Sequence, residues 1–309
     1  MKKLFGTDGI RGIAGKYPLE ADLIKKIGYA AAIIINDSSQ KEFILGCDTR
    51  ESSSWISKAI SDGIMSAGVD VFDCGVISTP AVSYITSIRG SSAGCVISAS
   101  HNSAEFNGIK FFSNEGIKIT DEQELEIEKF VLSENVIAEG AKESKERKND
   151  KKTVGQYKVS DNYADALYTK FLCTTLPKDF DLSGLKIVID CANGANYKIA
   201  PEVFSYLKAE IITLSVSPDG KNINKNCGSL HLKNLQNAVA ENNADFGIAF
   251  DGDGDRCLFV DEKGEIRDGD YLIAIAADEL NKNGELKNNS VVATVMATSD
   301  FTKRWNETA

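Results

Sequence analysis

The chain has 309 residues, 42% of them hydrophobic and 26% charged, the balance of a globular protein with room for two or three domains. A formal net charge of −10 argues against nucleic acid or an anionic membrane as partner. No apolar run is long enough to span a bilayer, and the opening Met1-Lys2-Lys3-Leu4-Phe5-Gly6 lacks the apolar core of a secretion signal. The seven cysteines form no Cys-x-x-Cys pair, so reduced thiols in a cytoplasmic protein are expected.

In chain order, Phe5 to Gly12 reads as a glycine-rich turn. Leu23 to Ile35 has helical spacing after Asp22, a plausible N-cap. Phe43-Ile44-Leu45 is a short buried strand leading into the polar turn Asp48-Thr49-Arg50, followed by a helix over Trp55 to Met65. Val69 to Phe72 is a strand, Ala81 to Ile88 a helix, and Val96-Ile97 a strand ending in the polar turn Ser98 to Asn102. Gly108 to Phe112 and Gly116 to Ile119 flank a hairpin signal at Ser113-Asn114-Glu115. Asp121 to Leu132 is an acidic amphipathic helix. Glu139 to Lys152 is almost wholly charged and is expected to be a solvated linker.

A second alternating block follows. It runs through a strand at Leu185 to Ile189, a helix at Tyr197 to Leu207, a strand at Glu210 to Leu214 and a helix at Leu232 to Glu241. Phe246 to Phe250 and Cys257 to Val260 read as strands, Asp270 to Leu280 as a helix and Val291 to Met296 as a strand. This alternation predicts α/β layers with mixed, mainly parallel sheets. Ligands in such sheets sit beyond the carboxyl ends of strands, where the polar turns at Asp48 to Arg50, Ser98 to Asn102, Asp190 to Gly194 and Asp251 to Arg256 all fall.

The last of these turns, Asp251-Gly252-Asp253-Gly254-Asp255-Arg256, is the most specific signal. Three carboxylates alternating with glycines are costly unless a cation offsets them. Oxygen-only ligands favour a hard ion such as Mg2+, and the arginine adds a donor fork suited to phosphate. A solvated acidic turn is the bland alternative. An EF-hand loop is a poorer one, because its sixth place needs glycine and holds Arg256, and because the flanks read as strands.

The second signal is Ser98-Ala99-Ser100-His101-Asn102, followed by Lys110. It can present a serine hydroxyl after a strand, or it can be a capped helix start. Serine, acidic loop and arginines together suggest phosphoryl transfer, with a phosphorylated serine as covalent intermediate. The third signal, Gly6-Thr7-Asp8-Gly9-Ile10-Arg11-Gly12, can approach a ligand closely and offers Arg11. His231 reads as a surface or capping histidine.

These three motifs occur in the order seen in the α-D-phosphohexomutase superfamily, which the chain resembles from Lys3 to about Met296. Phe5 to Gly12, with Asn222-Ile223-Asn224 and Cys227-Gly228-Ser229-Leu230-His231, resembles its branch that interconverts glucosamine 6-phosphate and glucosamine 1-phosphate. The resemblance implies that Ser100 is the phosphorylated serine, and that Asp251, Asp253 and Asp255 bind Mg2+ together with a phosphoserine oxygen. Arg11, Lys110 and Arg256 surround the transferring phosphoryl group, and His101 or Lys110 assists proton transfer. A sugar bisphosphate is the intermediate, and the partner is a sugar phosphate, feeding peptidoglycan precursor synthesis. Monomer and homodimer both remain open.

The resemblance also implies four domains around a cleft. The expected division is 1–155 for the phosphoserine domain, 156–258 for the metal-loop domain and 259–309 for the beginning of a sugar-binding domain. The Gly-Glu-x-Ser-Gly-His sugar loop and the Arg- and Ser-rich phosphate loop of the last two domains do not occur in this sequence, and Ala297 to Ala309 departs from the family pattern. A C-terminally truncated chain is therefore expected, with little or no mutase turnover of its own. Ser103 stands where the family's serine motif usually has proline. Two other readings stay open: a truncated remnant that binds Mg2+ without catalysis, and a phosphomannomutase/phosphoglucomutase of broad specificity.

Overall fold

The computed structural model describes residues 4–35, 41–133, 154–294 and 297. The expected linker at Glu139 to Lys152, the end of the expected strand at Val291 to Met296 and nearly all of the tail lie outside the described residues. Val291 to Thr294, the part of that strand that is described, has no regular structure.

Two mixed sheets organise the chain. The first has the order β1-β2-β6-β5-β3-β4-β7. Its strands are β1 (Phe5–Gly6), β2 (Gly9–Ile13), β3 (Glu42–Cys47), β4 (Asp70–Val76), β5 (Ala93–Ile97), β6 (Phe106–Ser113) and β7 (Tyr157–Val159). The second has the order β12-β11-β10-β8-β9, with β8 (Lys186–Asp190), β9 (Glu210–Leu214), β10 (Phe246–Phe250), β11 (Cys257–Asp261) and β12 (Ile266–Arg267). Three of the first sheet's six pairings and two of the second's four are parallel, so the sheets are more evenly mixed than their strand–helix alternation suggests. Parallel strands buried on both faces read as continuous apolar runs, which is why Phe43 to Leu45 and Ile187 to Ile189, all fully buried, were legible.

Register places the polar turns. Cys47 pairs with Ile97 in the parallel β3–β5 ladder, so the turns after both strands emerge side by side. Asp190 pairs with Ala249 in the parallel β8–β10 ladder, which does the same for the turns at 190–194 and 251–256. β6 runs antiparallel to β5, with Lys110 opposite Val96, and β2 pairs with β6 so that Arg11 lies opposite Gly108. The segment expected as an N-terminal turn is thus a ribbon at the sheet edge. Buried Glu128 anchors it by accepting from Leu4 N at 2.9 Å and Phe5 N at 3.3 Å.

Several local expectations change. Helix α1 (Ala21–Ile34) has Glu20 at the cap position, and Asp22 sits in its first turn, where a carboxylate still suits the helix dipole. The Gly116 to Ile119 arm is an isolated bridge from Phe112 to Lys118 instead of a strand. The division at 155 precedes β7, which pairs with β4 and completes the first sheet. Likewise β11 and β12 carry the second sheet past 258. A boundary set by linker composition cannot detect a strand that crosses back to its neighbour.

The two sheets share packing. The helix Tyr163–Thr174, unread in the sequence, lays Phe171 on Tyr84 of α3 (Thr79–Arg89), with ring centroids 3.8 Å apart. Ala164, Tyr168 and Ile199 join Ile44, Val82 and Ile85 in one buried cluster, so apolar surface from both blocks is removed from water together. On the far side α1 (Ala21–Ile34) and α2 (Ser53–Ser66) approach through glycines. A Cβ on Gly63 would run into the Lys25 carbonyl, and one on Gly28 into the Ile60 carbonyl.

Gly63→Ala should therefore lower stability by about 1–3 kcal/mol through overpacking. Gly269→Ala, with nothing within 4 Å of the new methyl, should be neutral or slightly stabilising. Urea unfolding of the two variants checks the pair.

Candidate active site

The turns from both sheets meet on one serine. Ser100 is 1% exposed and adopts a left-handed backbone with φ of 54°, a conformation that costs a non-glycine residue about 1–3 kcal/mol. Its hydroxyl donates to Asp251 Oδ2 at 2.7 Å and accepts from Arg256 Nη2 at 2.5 Å. Arg256 Nη2 also lies 2.9 Å from Asp251 Oδ2 and 2.5 Å from His101 Nδ1. A guanidinium can only donate, so Nδ1 is the acceptor and the neutral imidazole carries its proton on Nε2. Burial and the charges of Arg256 and Arg11 hold His101 below its ordinary pKa, which agrees with that tautomer.

The acidic loop faces the same point. Asp251, Asp253 and Asp255 each offer an oxygen within 4.8 Å of the others. Asp251 and Asp253 are buried, at 0% and 1% exposure, while Asp255 is partly open. Asp253 Oδ2 accepts from Thr79 Oγ1 at 2.7 Å and from Lys110 Nζ at 3.0 Å. Burial pushes this carboxyl up, but the charge of Lys110 and the hydrogen bonds from Thr79 and Lys110 outweigh it and hold Asp253 below the usual carboxylate range. For Asp255, burial and then the charges of Asp253 and Asp251 raise the pKa to about 6.

Lys110 is the main counter-charge. It is almost fully buried and also lies 2.9 Å from Asp8 and 3.8 Å from Asp255. Burial opposes its charge, but Asp253 and Asp8 more than offset this and raise its pKa, so the side chain stays an ammonium. Arg11 pairs with Asp8 at 2.7 Å and closes one side of an open cavity of about 420 Å3 lined by Leu4, Phe5, Gly6, Thr7, Asp8 and Gly9.

Among the described residues, the buried side-chain atoms without a hydrogen-bond partner include two at this site, Asp253 Oδ1 and Arg11 Nε. An orphaned carboxylate oxygen beside two further carboxylates fits a hard divalent cation. An orphaned guanidinium N–H beside a cavity fits an anionic oxygen.

All eight sequence-predicted residues (Arg11, Ser100, His101, Lys110, Asp251, Asp253, Asp255 and Arg256) lie in this one region. Sequence reasoning missed Asp8 and Thr79 as partners of Lys110 and Asp253. It also missed the group that shapes the serine turn. Buried Asp48 and Arg50 form an ion pair at 2.8 Å, and Asp48 Oδ2 accepts from Ser98 Oγ at 2.5 Å. Ser98 Oγ in turn accepts from Ser100 N at 2.9 Å. The only signal for Asp48 and Arg50 was their place at a strand's carboxyl end; for Thr79 there was none. Gly252 has to lack a side chain, because a Cβ there would sit 2.6 Å from Ser100 O and 2.7 Å from Asn224 Nδ2. His231 is exposed. The seven cysteines are free, and burial pushes the Cys47, Cys74 and Cys95 thiols up, so they are poor nucleophiles.

A strained serine, an acidic triad and convergent cations meet beyond the carboxyl ends of strands from two α/β sheets. The chain belongs to the phosphoglucomutase/phosphomannomutase family: α/β/α domain I of that family matches residues 2–136 and domain II matches residues 161–264. The chain is 49% identical over 298 residues to a phosphoglucosamine mutase of Geobacter sp. (strain M21), and 49% identical to that of Citrifermentans bemidjiense. Both alignments cover 96% of this chain and 64% of the relative, so the chain spans a little under two thirds of these curated relatives' length. A phosphoglucomutase/phosphomannomutase family protein from Burkholderia thailandensis superposes with a TM-score of 0.75 at 28% identity, over 91% of this chain and 59% of its own. Among the described residues no helix is long and apolar enough to cross a membrane.

The raised Asp255 pKa has a signed consequence. Its folded value of about 6 exceeds the ordinary 3.8, so without a cation folding stability should fall as pH rises between those values. A divalent cation such as Mg2+, if held by the triad, would reverse this by favouring the ionised form. Its affinity should be full above pH 6 and weaken below it, with protons released on binding near pH 6. Calorimetric titration in two buffers of different ionisation heat reads both; pH-independent affinity would contradict the assignment.

Proposed function

We propose that this chain carries the phosphoserine and metal-loop part of a phosphoglucosamine mutase, exchanging a phosphoryl group between Ser100 and a glucosamine phosphate. The observation behind this reading is the Ser100 hydroxyl, held at 2.7 Å from Asp251 and 2.5 Å from Arg256 beside a carboxylate triad with an unsatisfied buried oxygen. The likeness to the two phosphoglucosamine mutases supports glucosamine phosphate over other hexose phosphates.

In this reading Asp251, Asp253 and Asp255 hold Mg2+, with an oxygen of phosphorylated Ser100 completing the set. The ion, when bound, draws charge from the oxygens of the phosphoryl group. Transfer breaks the bond from Ser100 Oγ to phosphorus and forms one from phosphorus to a sugar hydroxyl oxygen, and the hydroxyl proton leaves to a base. The bisphosphate formed turns over, and its other phosphoryl group returns to Ser100.

Charge spread over the phosphoryl oxygens in flight needs fixed donors. Arg256 and Lys110 provide them at the serine, and Arg11 offers its free Nε to the sugar-borne phosphate. Asp251, which takes the serine hydroxyl's hydrogen bond, orients Oγ. Lys110 is held as an ammonium without a lone pair, so it stabilises charge. His101 is held neutral, and its Nδ1, 3.4 Å from Ser100 Oγ, is the lone pair available once Arg256 turns to a phosphoryl oxygen.

The test uses the half-reaction, which needs no complete mutase cycle. Incubated with Mg2+ and glucosamine 1,6-bisphosphate, the chain should gain one phosphoryl group on Ser100 by peptide mass spectrometry. Ser100→Ala should gain none, and Arg256→Ala should slow the gain about 100-fold or more. Failure of the unsubstituted chain to be phosphorylated would refute the reading.

A further inference from the structure

We propose that Asn224 and Arg50 are positioning residues: one from each sheet's loops, they clamp the Ser100–Asn102 backbone and thereby aim the Ser100 hydroxyl. The inference rests on the phosphoryl-transfer reading and extends it to side chains that touch neither the carboxylate triad nor a phosphoryl group.

The geometry is a doubled bond pattern on two carbonyls. Ser100 O accepts from Arg50 Nη2 at 3.0 Å and from Asn224 Nδ2 at 2.9 Å. Asn102 O accepts from the same two atoms, at 2.8 Å and 3.1 Å. Each carbonyl has two lone pairs, and here both are used. Arg50 is 3% exposed and extends the grip to Phe106 O at 3.0 Å and to Ser103 O, while Asp48 holds its Nε at 2.8 Å. With Ser98 Oγ accepting from Ser100 N, both backbone polar groups of Ser100 are tied down.

The clamp counteracts a specific tendency. A serine at φ of 54° relaxes toward ordinary backbone unless its surroundings over-determine it, and rotating its peptide planes would swing Oγ away from Asp251 and Arg256. Arg50 alone would fix the turn to the first sheet. Asn224 fixes it to the second, which carries the acidic loop. Asn224 is itself held, with its N–H on Ala192 O at 2.9 Å, and it reaches Ser100 O past Gly252, where a Cβ would come within 2.7 Å of its amide nitrogen. Nucleophile and metal loop therefore share one frame across a domain boundary. A shift of about 1 Å at such a centre can cost about 100-fold in rate.

Asn224→Ala removes the second-sheet donors without touching Asp251, Asp253 or Asp255. Arg50→Lys keeps the charge opposite Asp48 but loses the planar fork. Amide hydrogen exchange over Ser98–Asn102 should accelerate in both variants. The maximal rate of Ser100 phosphorylation by glucosamine 1,6-bisphosphate should fall about 100-fold in Asn224→Ala, with the half-saturating bisphosphate concentration and Mg2+ affinity unchanged. A merely structural role would instead lower the melting temperature and leave the rate of the folded fraction intact. Unchanged exchange in Asn224→Ala, or a maximal rate within about threefold of the unsubstituted chain, overturns the inference. If the unsubstituted chain is not phosphorylated at all, the functional reading fails, and the exchange measurement still decides whether Asn224 holds the serine turn.

Discussion

The structure turns on one electrostatic constraint. Asp8, Asp251, Asp253 and Asp255 converge on a region where Lys110, Arg256 and Arg11 are the nearest cations. Like charges at such separations repel strongly unless opposite charge lies among them. Buried Lys110 links Asp8 from the first ribbon to Asp253 from the second sheet. The same contacts that neutralise the acidic loop therefore also hold the two sheets in register. Fold and site depend on each other here: separating the sheets would leave Lys110 a buried ammonium with fewer partners, and removing Lys110 would leave the carboxylates unbalanced.

Around that point the two domains are joined by several kinds of contact. Thr79, in the first turn of α3, donates its backbone N–H to Asp253 O at 2.9 Å and its hydroxyl to the Asp253 carboxylate, where a helix N-terminus favours negative charge. Apolar packing among Tyr84, Tyr168 and Phe171 adds area that needs no exact angle. Hydrogen bonds supply direction, and burial supplies most of the driving force. The serine turn takes its shape from both sides of this junction, which is how a strained residue at φ of 54° is kept in place.

Much of the site was legible because its chemistry is local in the chain. The alternation of aspartate and glycine at 251–255 is read without a fold, since adjacent carboxylates need a cation wherever they stand. Ser100 and Lys110 were legible through motif order. Asp48 and Arg50 were visible only as a polar turn, because Arg50's partners are backbone carbonyls, and Asp48's the Ser98 hydroxyl, about fifty residues away. Thr79 gave no signal, and Asp8 stood in the Gly6–Gly12 motif without a reading of its own, since one threonine or aspartate in a turn usually caps a helix or faces water. The strand at 157–159 and the helix at 163–174 were missed for a related reason. The strand is short and exposed, and the helix packs on a neighbouring domain, so its apolar side is understandable only with that neighbour in view.

The sequence by itself determined the residue types, the alternating α/β elements and the three motifs, because periodicity and charge density are properties of short stretches. Tertiary structure alone decided that these motifs share one centre, that Lys110 is locked as a cation while Asp255 titrates near 6, and that the serine turn is gripped from both sheets. The physical reason is that pKa values and backbone strain depend on what stands within a few ångströms. In this chain many of those neighbours come from distant segments, 50 residues apart for Arg50 and Ser100 and 143 for Lys110 and Asp253.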